Sequence, residues 1–164
     1  MDSSILERLQ AAEDRLAILD LEGEYARSWD CGDGDAWAAV FAPDGSFEMT
    51  EVGHQPARII TGTQQLADFC REVDGFYKGL HFMSLPRVEI VGDTAHGQLH
   101  FQWLGLFRPH GQFTGERHAK GFYRVTYRKI DGQWKIARRV ETVISGTIQE
   151  SYDPFISKTL DNTK

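Results

Sequence analysis

Cysteine is scarce in this chain. Cys31 and Cys70 are the only two in 164 residues. Two thiols are too few for a disulfide framework, and reduced thiols in a cytoplasmic setting are the simplest expectation. Positive charge is short as well. Lys and Arg number 18 against 24 Asp and Glu, leaving a net charge of −6. A nucleic acid would select a basic stripe and an anionic membrane a basic face, so neither partner is expected. No apolar run approaches the roughly 20 residues of a transmembrane helix. The segment from Met1 to Gln10 has neither the basic nor the apolar part of a secretory signal, so none is expected there. Repeats, linkers and low-complexity stretches are also missing. One domain over residues 1–164 is expected, with a core over about 5–148 and a polar tail from 149.

What the chain does have is bulk. Hydrophobic residues are 41%, and ten Phe and four Trp can fill a core or line an apolar cavity. Helical signals come first and strand signals later, which is an α+β order rather than a βαβ alternation. Ser4 and Glu7 have capping-box spacing, and Leu6, Leu9, Leu16 and Leu19 recur at helical spacing up to about Trp29. Cys31-Gly32-Asp33-Gly34 ends that helix. Asp35 is expected to cap a short helix through Phe41, and Pro43-Asp44-Gly45 to turn the chain into a strand over Ser46 to Glu51. Val52 to Ile60 reads as irregular. Thr61 and Gln64 suggest a second capping box, opening a helix near Gln64 to Val73.

Four strands are expected after it: His81 to Val91, Thr94 to Phe107, Glu116 to Lys129 and Gln133 to Ile148. Gly92-Asp93 joins the first two, and a polar loop over Pro109 to Gly115 follows the second. Asp131-Gly132 is the strongest hairpin signal, because both residues tolerate the positive φ of a type I′ turn.

Three places carry candidate chemistry. Asp30 closes the first helix, His81 opens the first long strand, and Arg138-Arg139 lies midway along the last. An imidazole accepts a proton near neutral pH, and a carboxylate can fix its tautomer and stabilise the imidazolium. The residues alone leave a plainer reading open, with Asp30 ending a helix and His81 facing solvent. Of two adjacent strand arginines, one faces inward and one outward, and both being solvated is the plain reading there. His96 and His100 share a strand face, but four residues of strand separate them by roughly 13 Å, too far for one metal ion, so no metal site is expected.

These pieces resemble a known family. Tyr25 to Asp30, the run Trp37 to Phe47, Gly62 to Leu66, His81, and Asp131-Gly132-Gln133-Trp134-Lys135-Ile136 follow the pattern of the SnoaL-like branch of the nuclear-transport-factor-2-like superfamily, from about Leu6 to Ile148. The resemblance implies an NTF2-like cone, α+β, in which a curved, mostly antiparallel sheet wraps N-terminal helices and an apolar pocket. Within that branch the chain is most similar to lyases: scytalone dehydratase, bile-acid dehydratase and hexachlorocyclohexane dehydrochlorinase. The likeness implies that Asp30 and His81 meet as a catalytic dyad, that Tyr25 lines the site, and that Arg139 reaches it if the last strand aligns without a gap. It implies no cofactor, a small cyclic, largely apolar substrate, and a homotrimer. Alternation and size suggest Phe47, Phe82, Leu99, Phe101, Trp103 and Phe122 as walls. Trp103 stands where the bile-acid enzyme has an aspartate, which makes that wall more apolar. The implied function is a lyase, dehydratase-like, or an isomerase. The alternatives are a non-catalytic binding or accessory subunit, as in ring-hydroxylating dioxygenases, and a polyketide-type cyclase.

Overall fold

The computed structural model describes residues 3–51, 56–107 and 115–150, with backbone alone for residue 3 and residues 147–150. The expected loop over Pro109 to Gly115 therefore lies outside the described residues apart from Gly115, as do residues 52–55 of the expected irregular stretch and the tail beyond residue 150. A long helix α1 (Ser3–Asp30) and a short α2 (Gly34–Ala39) lead into β1 (Phe41–Met49) and β2 (Arg58–Thr61). Helix α3 (Thr63–Phe76) follows, then β3 (Tyr77–Met83), β4 (Arg87–Val91), β5 (Thr94–Phe107), β6 (Gly115–Ile130) and β7 (Gln133–Glu150). The strands form one curved, unclosed seven-stranded sheet in the order β2-β1-β7-β6-β5-β3, with β4 also on β5. Among the described residues only the β1–β7 pair is parallel. This is the expected α+β architecture.

Local chemistry places the boundaries a few residues from where the sequence suggested. Asp33, not Asp35, caps α2, its side chain accepting from the Ala36 N–H at 3.0 Å. Ser4 lies within α1 rather than at its cap, and α3 starts after Gly62 with no side-chain cap bond. Pro43-Asp44-Gly45 is an irregularity inside β1 rather than a turn before it, since the β1–β7 register shifts between Phe41 and Ser46. Gly45 is required there, because a Cβ would meet the carbonyl oxygens of Ile136 and Ala42 at 2.8 and 2.9 Å. The expected first long strand is two strands. Pro86 lacks an N–H, so the ladder breaks between β3 and β4, and both halves pair with β5. The Asp131-Gly132 hairpin forms as expected, with φ of +50° and +78°.

Packing of α1 departs furthest from the sequence pattern. Leu6, Leu9 and Leu16 are about half exposed or more, and the stripe buried against the sheet is Asp14, Ile18, Glu22, Tyr25 and Ser28. Its acids have partners. Asp14 Oδ1 accepts from the Trp134 indole N–H at 2.9 Å and pairs with Lys129, clamping the β6–β7 hairpin onto the helix. Glu22 receives Arg139 Nη1 on both carboxylate oxygens at 2.9 Å and the Tyr127 hydroxyl at 2.6 Å. Both members of the Glu22–Arg139 pair are buried, Arg139 fully.

Removing one member of such a pair strands the other charge in a dry interior. Glu22→Ala is expected to lower stability by about 3–5 kcal/mol, read as a fall in the urea midpoint at unchanged slope.

Candidate active site

The site forms where the end of α1 meets β3. Asp30 is the last residue of α1, so its carboxylate sits at the negative end of the helix dipole, which disfavours it by about 0.3–1 kcal/mol where exposed. His81 compensates at two points. Its backbone N–H donates to Asp30 Oδ2 at 2.8 Å, and its ring Nδ1 lies 2.7 Å from Asp30 Oδ1. The His81 side chain is 3% exposed and that of Asp30 15%. With the carboxylate on Nδ1, that nitrogen carries the proton of the neutral ring, and Nε2 is left as the free base. His81 lies within β3 rather than at its start, because the strand begins at Tyr77.

Aromatic rings fix the imidazole in place. Tyr25 and Trp29 stand edge-on to it, with centroids 5.9 and 6.3 Å away. On the far side, the Tyr123 hydroxyl lies 3.4 Å from His81 Nε2 and 3.3 Å from Glu141 Oε2. Both contacts are long for hydrogen bonds of a hydroxyl. Tyr123 is held by a ring stacked on Phe101 at 4.3 Å. A continuous polar line therefore runs from Asp30 through His81 and Tyr123 to Glu141.

Arg139 lies behind this line. Its guanidinium carbon sits 3.6 Å from the Tyr25 ring centroid and 3.9 Å from that of Tyr123, a sandwich between two π faces. A bulge puts it there. Tyr127 pairs with Ile136 and Thr126 with Arg138, so Ala137 is unpaired and the alternation of β7 flips. Arg139 then shares the inner face with Ile136, while Arg138 faces out and pairs with Glu48 at 2.6 Å. Arg139 gives Nη1 to Glu22 and reaches the Met83 sulfur with Nη2 at 3.7 Å, so it supports the two phenols rather than offering a free fork.

Burial pushes the Tyr25 and Tyr123 phenols up, so both stay O–H donors at neutral pH. It also pushes the Glu141 carboxyl up to about 6, against the opposing hydrogen bond from Tyr123 and the charges of Arg139 and Arg117. The inner face is otherwise apolar. Phe47, Leu99 and Phe101 are buried on it, and Trp103 pairs across the ladder with His81. The Trp103 indole rests on Gly79 and Gly105, which face each other across β3 and β5, and a Cβ on either would come within 2.3 Å of it.

Two of the expected wall residues point elsewhere. Phe82 follows His81 in the strand and therefore faces out, 57% exposed. Phe122 precedes the buried Tyr123 and also faces out, with Arg124 over its ring at 4.9 Å. Sequence reasoning missed Glu22, Tyr123 and Glu141. Alternation could have found Tyr123, which shares a face with Val125 and Tyr127, but Glu141 lies beyond the bulge at Ala137, where plain alternation from Trp134 and Ile136 would turn it outward. His96 and His100 are exposed on the outer face, and among the described residues no three His, Cys, Asp or Glu are grouped to hold a metal ion. Two open grooves of about 300 and 330 Å³ lie away from the dyad, one beside the β6–β7 hairpin and one between β2 and α3.

Comparison with known proteins agrees with this architecture. Three solved structures illustrate it. Hexachlorocyclohexane dehydrochlorinase LinA type 2 superposes with a TM-score of 0.75 at 20% identity, covering 88% of this chain and 94% of that one. A protein of unknown function from Mycobacterium tuberculosis gives 0.68 at 25% identity, covering 87% and 76%. An NTF2-like protein with a cystatin-like fold from Novosphingobium aromaticivorans gives 0.69 at 21% identity, covering 88% and 91%. No curated protein matches the sequence significantly. The model of the SnoaL-like domain matches residues 10–140, and the chain belongs to the SnoaL-like domain family.

Proposed function

We propose that the chain is a cofactor-independent lyase or isomerase that removes a proton from carbon in a small cyclic, largely apolar compound. The observation that carries this reading is the two-point grip of Asp30 on His81, through the backbone N–H and Nδ1. It fixes the tautomer that leaves Nε2 basic, and it places a carboxylate where the imidazolium charge will develop. His81 takes the proton, Asp30 orients and stabilises it, and Tyr25 assists an oxygen that gains charge. Arg139 acts from behind the two phenols, its charge favouring electron density on either oxygen. Phe47, Leu99, Phe101 and Trp103 supply the apolar walls. The structural similarity to a dehydrochlorinase fits an elimination on the same fold.

The test is turnover of a panel of cyclic alcohols, β-hydroxy ketones and halides by single variants. His81→Ala is expected to lose ~10²–10⁴-fold in kcat with an unchanged circular dichroism spectrum. Asp30→Asn is expected to lose a comparable amount. Activity unaffected by the first change sinks the mechanism, and loss confined to the second marks an acid-catalysed cyclase instead.

The same reading includes a homotrimer. Leu80 and Phe82 expose apolar surface on the outer face of β3, at 55% and 57%. Light scattering is expected to give three times the 18.6 kDa chain mass, and a monomer counts against the assembly.

A further inference from the structure

Glu141 is a half-buried acid at the site that the proton-abstraction reading leaves without a task. It stands one hydroxyl away from the base, since Tyr123 Oη is 3.4 Å from His81 Nε2 and 3.3 Å from Glu141 Oε2. We propose that Tyr123 and Glu141 form a proton relay serving His81, and that this relay fits the site to expel a hydroxyl group as water. The inference rests on the reading of His81 as base and adds the second half of the reaction.

Loss of chloride needs no proton, because chloride is a stable anion. Loss of hydroxide from carbon needs one, supplied as the C–O bond breaks. In the relay His81 Nε2 takes the proton from carbon, and the C–H electron pair becomes the new C=C bond. The C–O pair leaves with the oxygen. Tyr123 gives its hydroxyl proton to that oxygen and takes one from the protonated Glu141, so water departs and Glu141 is left a carboxylate. The imidazolium then passes its proton through Tyr123 to Glu141. The enzyme returns to its starting form, and every proton is accounted for without an added reactant.

The surroundings suit this role. Tyr123 and Arg117 of β6, Arg139 of β7 and Tyr25 of α1 are the ionisable groups acting on Glu141, and His81 of β3 reaches it through Tyr123. Phe101 of β5, stacked on Tyr123, carries no charge. Tyr123 faces the reacting atoms and is the catalytic group. Glu141 acts through it and is a positioning and proton-storing residue. Burial holds its carboxyl at about 6, so the donor form prevails below that pH and is lost as pH rises through it.

The experiment uses the full chain with Glu141→Gln and Tyr123→Phe, both close in shape to the original residues. Infrared spectra across the acid-to-neutral range are expected to show a protonated-carboxyl band with a midpoint of about 6, absent in Glu141→Gln. The His81 ring, followed by NMR, is expected to titrate differently in both variants. Absence of the band, or a His81 titration that neither variant moves, overturns the relay whether or not any substrate is found. The second readout compares a cyclic β-hydroxy ketone with its β-chloro counterpart. Glu141→Gln is expected to lose ~10²-fold on the hydroxyl compound, together with the wild-type decline above pH about 6, and to stay within a few-fold on the chloride. Equal losses on both compounds make Glu141 merely structural and overturn the proposal. Failure of the wild type on both compounds counts against the lyase reading, and the titrations still decide the relay.

Discussion

A guanidinium with no contact with water has to be neutralised where it lies, and much of this structure follows from how Arg139 is neutralised. Glu22 reaches it from α1 with both carboxylate oxygens. That contact joins the first helix to the last strand across 117 positions of sequence. Tyr25, one turn further along α1, covers one face of the guanidinium, and Tyr123 of β6 covers the other. The pair fixes the rotation of the helix about its own axis, and so directs Tyr25 and Asp30 toward β3. A buried ion pair is weak evidence of stability, since apolar residues of the same volume often serve as well. What it supplies here is register, because an aliphatic substitute would tolerate a rotation of α1 that this contact of both carboxylate oxygens with Nη1 does not.

The same reasoning explains why the buried stripe of α1 reads poorly as amphipathic. Asp14, Glu22 and Ser28 occupy positions where a helix on a sheet usually carries leucine, and the leucines of the first half lie outside. The cost of burying the acids is offset by partners placed on the sheet, Trp134 and Lys129 for Asp14, Arg139 and Tyr127 for Glu22. Asp30 belongs to this pattern. It stands at the unfavourable end of a helix dipole and is held there by the His81 backbone N–H and ring Nδ1, so the position that costs stability is also the one that fixes the imidazole.

Much of this was legible in the sequence, and the exceptions have physical causes. The order of elements, the Asp131-Gly132 hairpin and the juxtaposition of Asp30 with His81 were readable, the first two from turn chemistry and alternation and the third from resemblance. Pro86 marks the break between β3 and β4, but the apolar alternation runs on through it and masks it. The choice between Arg138 and Arg139 was not readable, because it depends on the bulge at Ala137, which turns the alternation over without a glycine to mark it. Phe82 and Phe122 were placed by size when parity with His81 and Tyr123 would have placed them outside. Glu22 was hidden for a deeper reason. A glutamate on a helix is ordinarily solvated, and only the arriving Arg139 and Tyr127 make its burial tolerable.

Charge balance ties the dyad to the buried pair. Glu22 and Arg139 cancel, which leaves the negative charge of Asp30 and whatever His81 and Glu141 hold between them. If one proton is shared between His81 and Glu141, moving it from acid to imidazole creates a cation at one end of the line and an anion at the other. The net charge of the interior does not change. Moving a lone charge through a medium of low dielectric would be costly, whereas shifting a proton between two compensated ends exchanges one ion arrangement for another. Asp30 lies beside the end that becomes positive, and Arg139 and Arg117 act on the end that becomes negative. The arginine that sets the rotation of α1 through Glu22 thus also acts on the acid at the far end of the proposed relay, so the fold and the proposed chemistry draw on the same side chain.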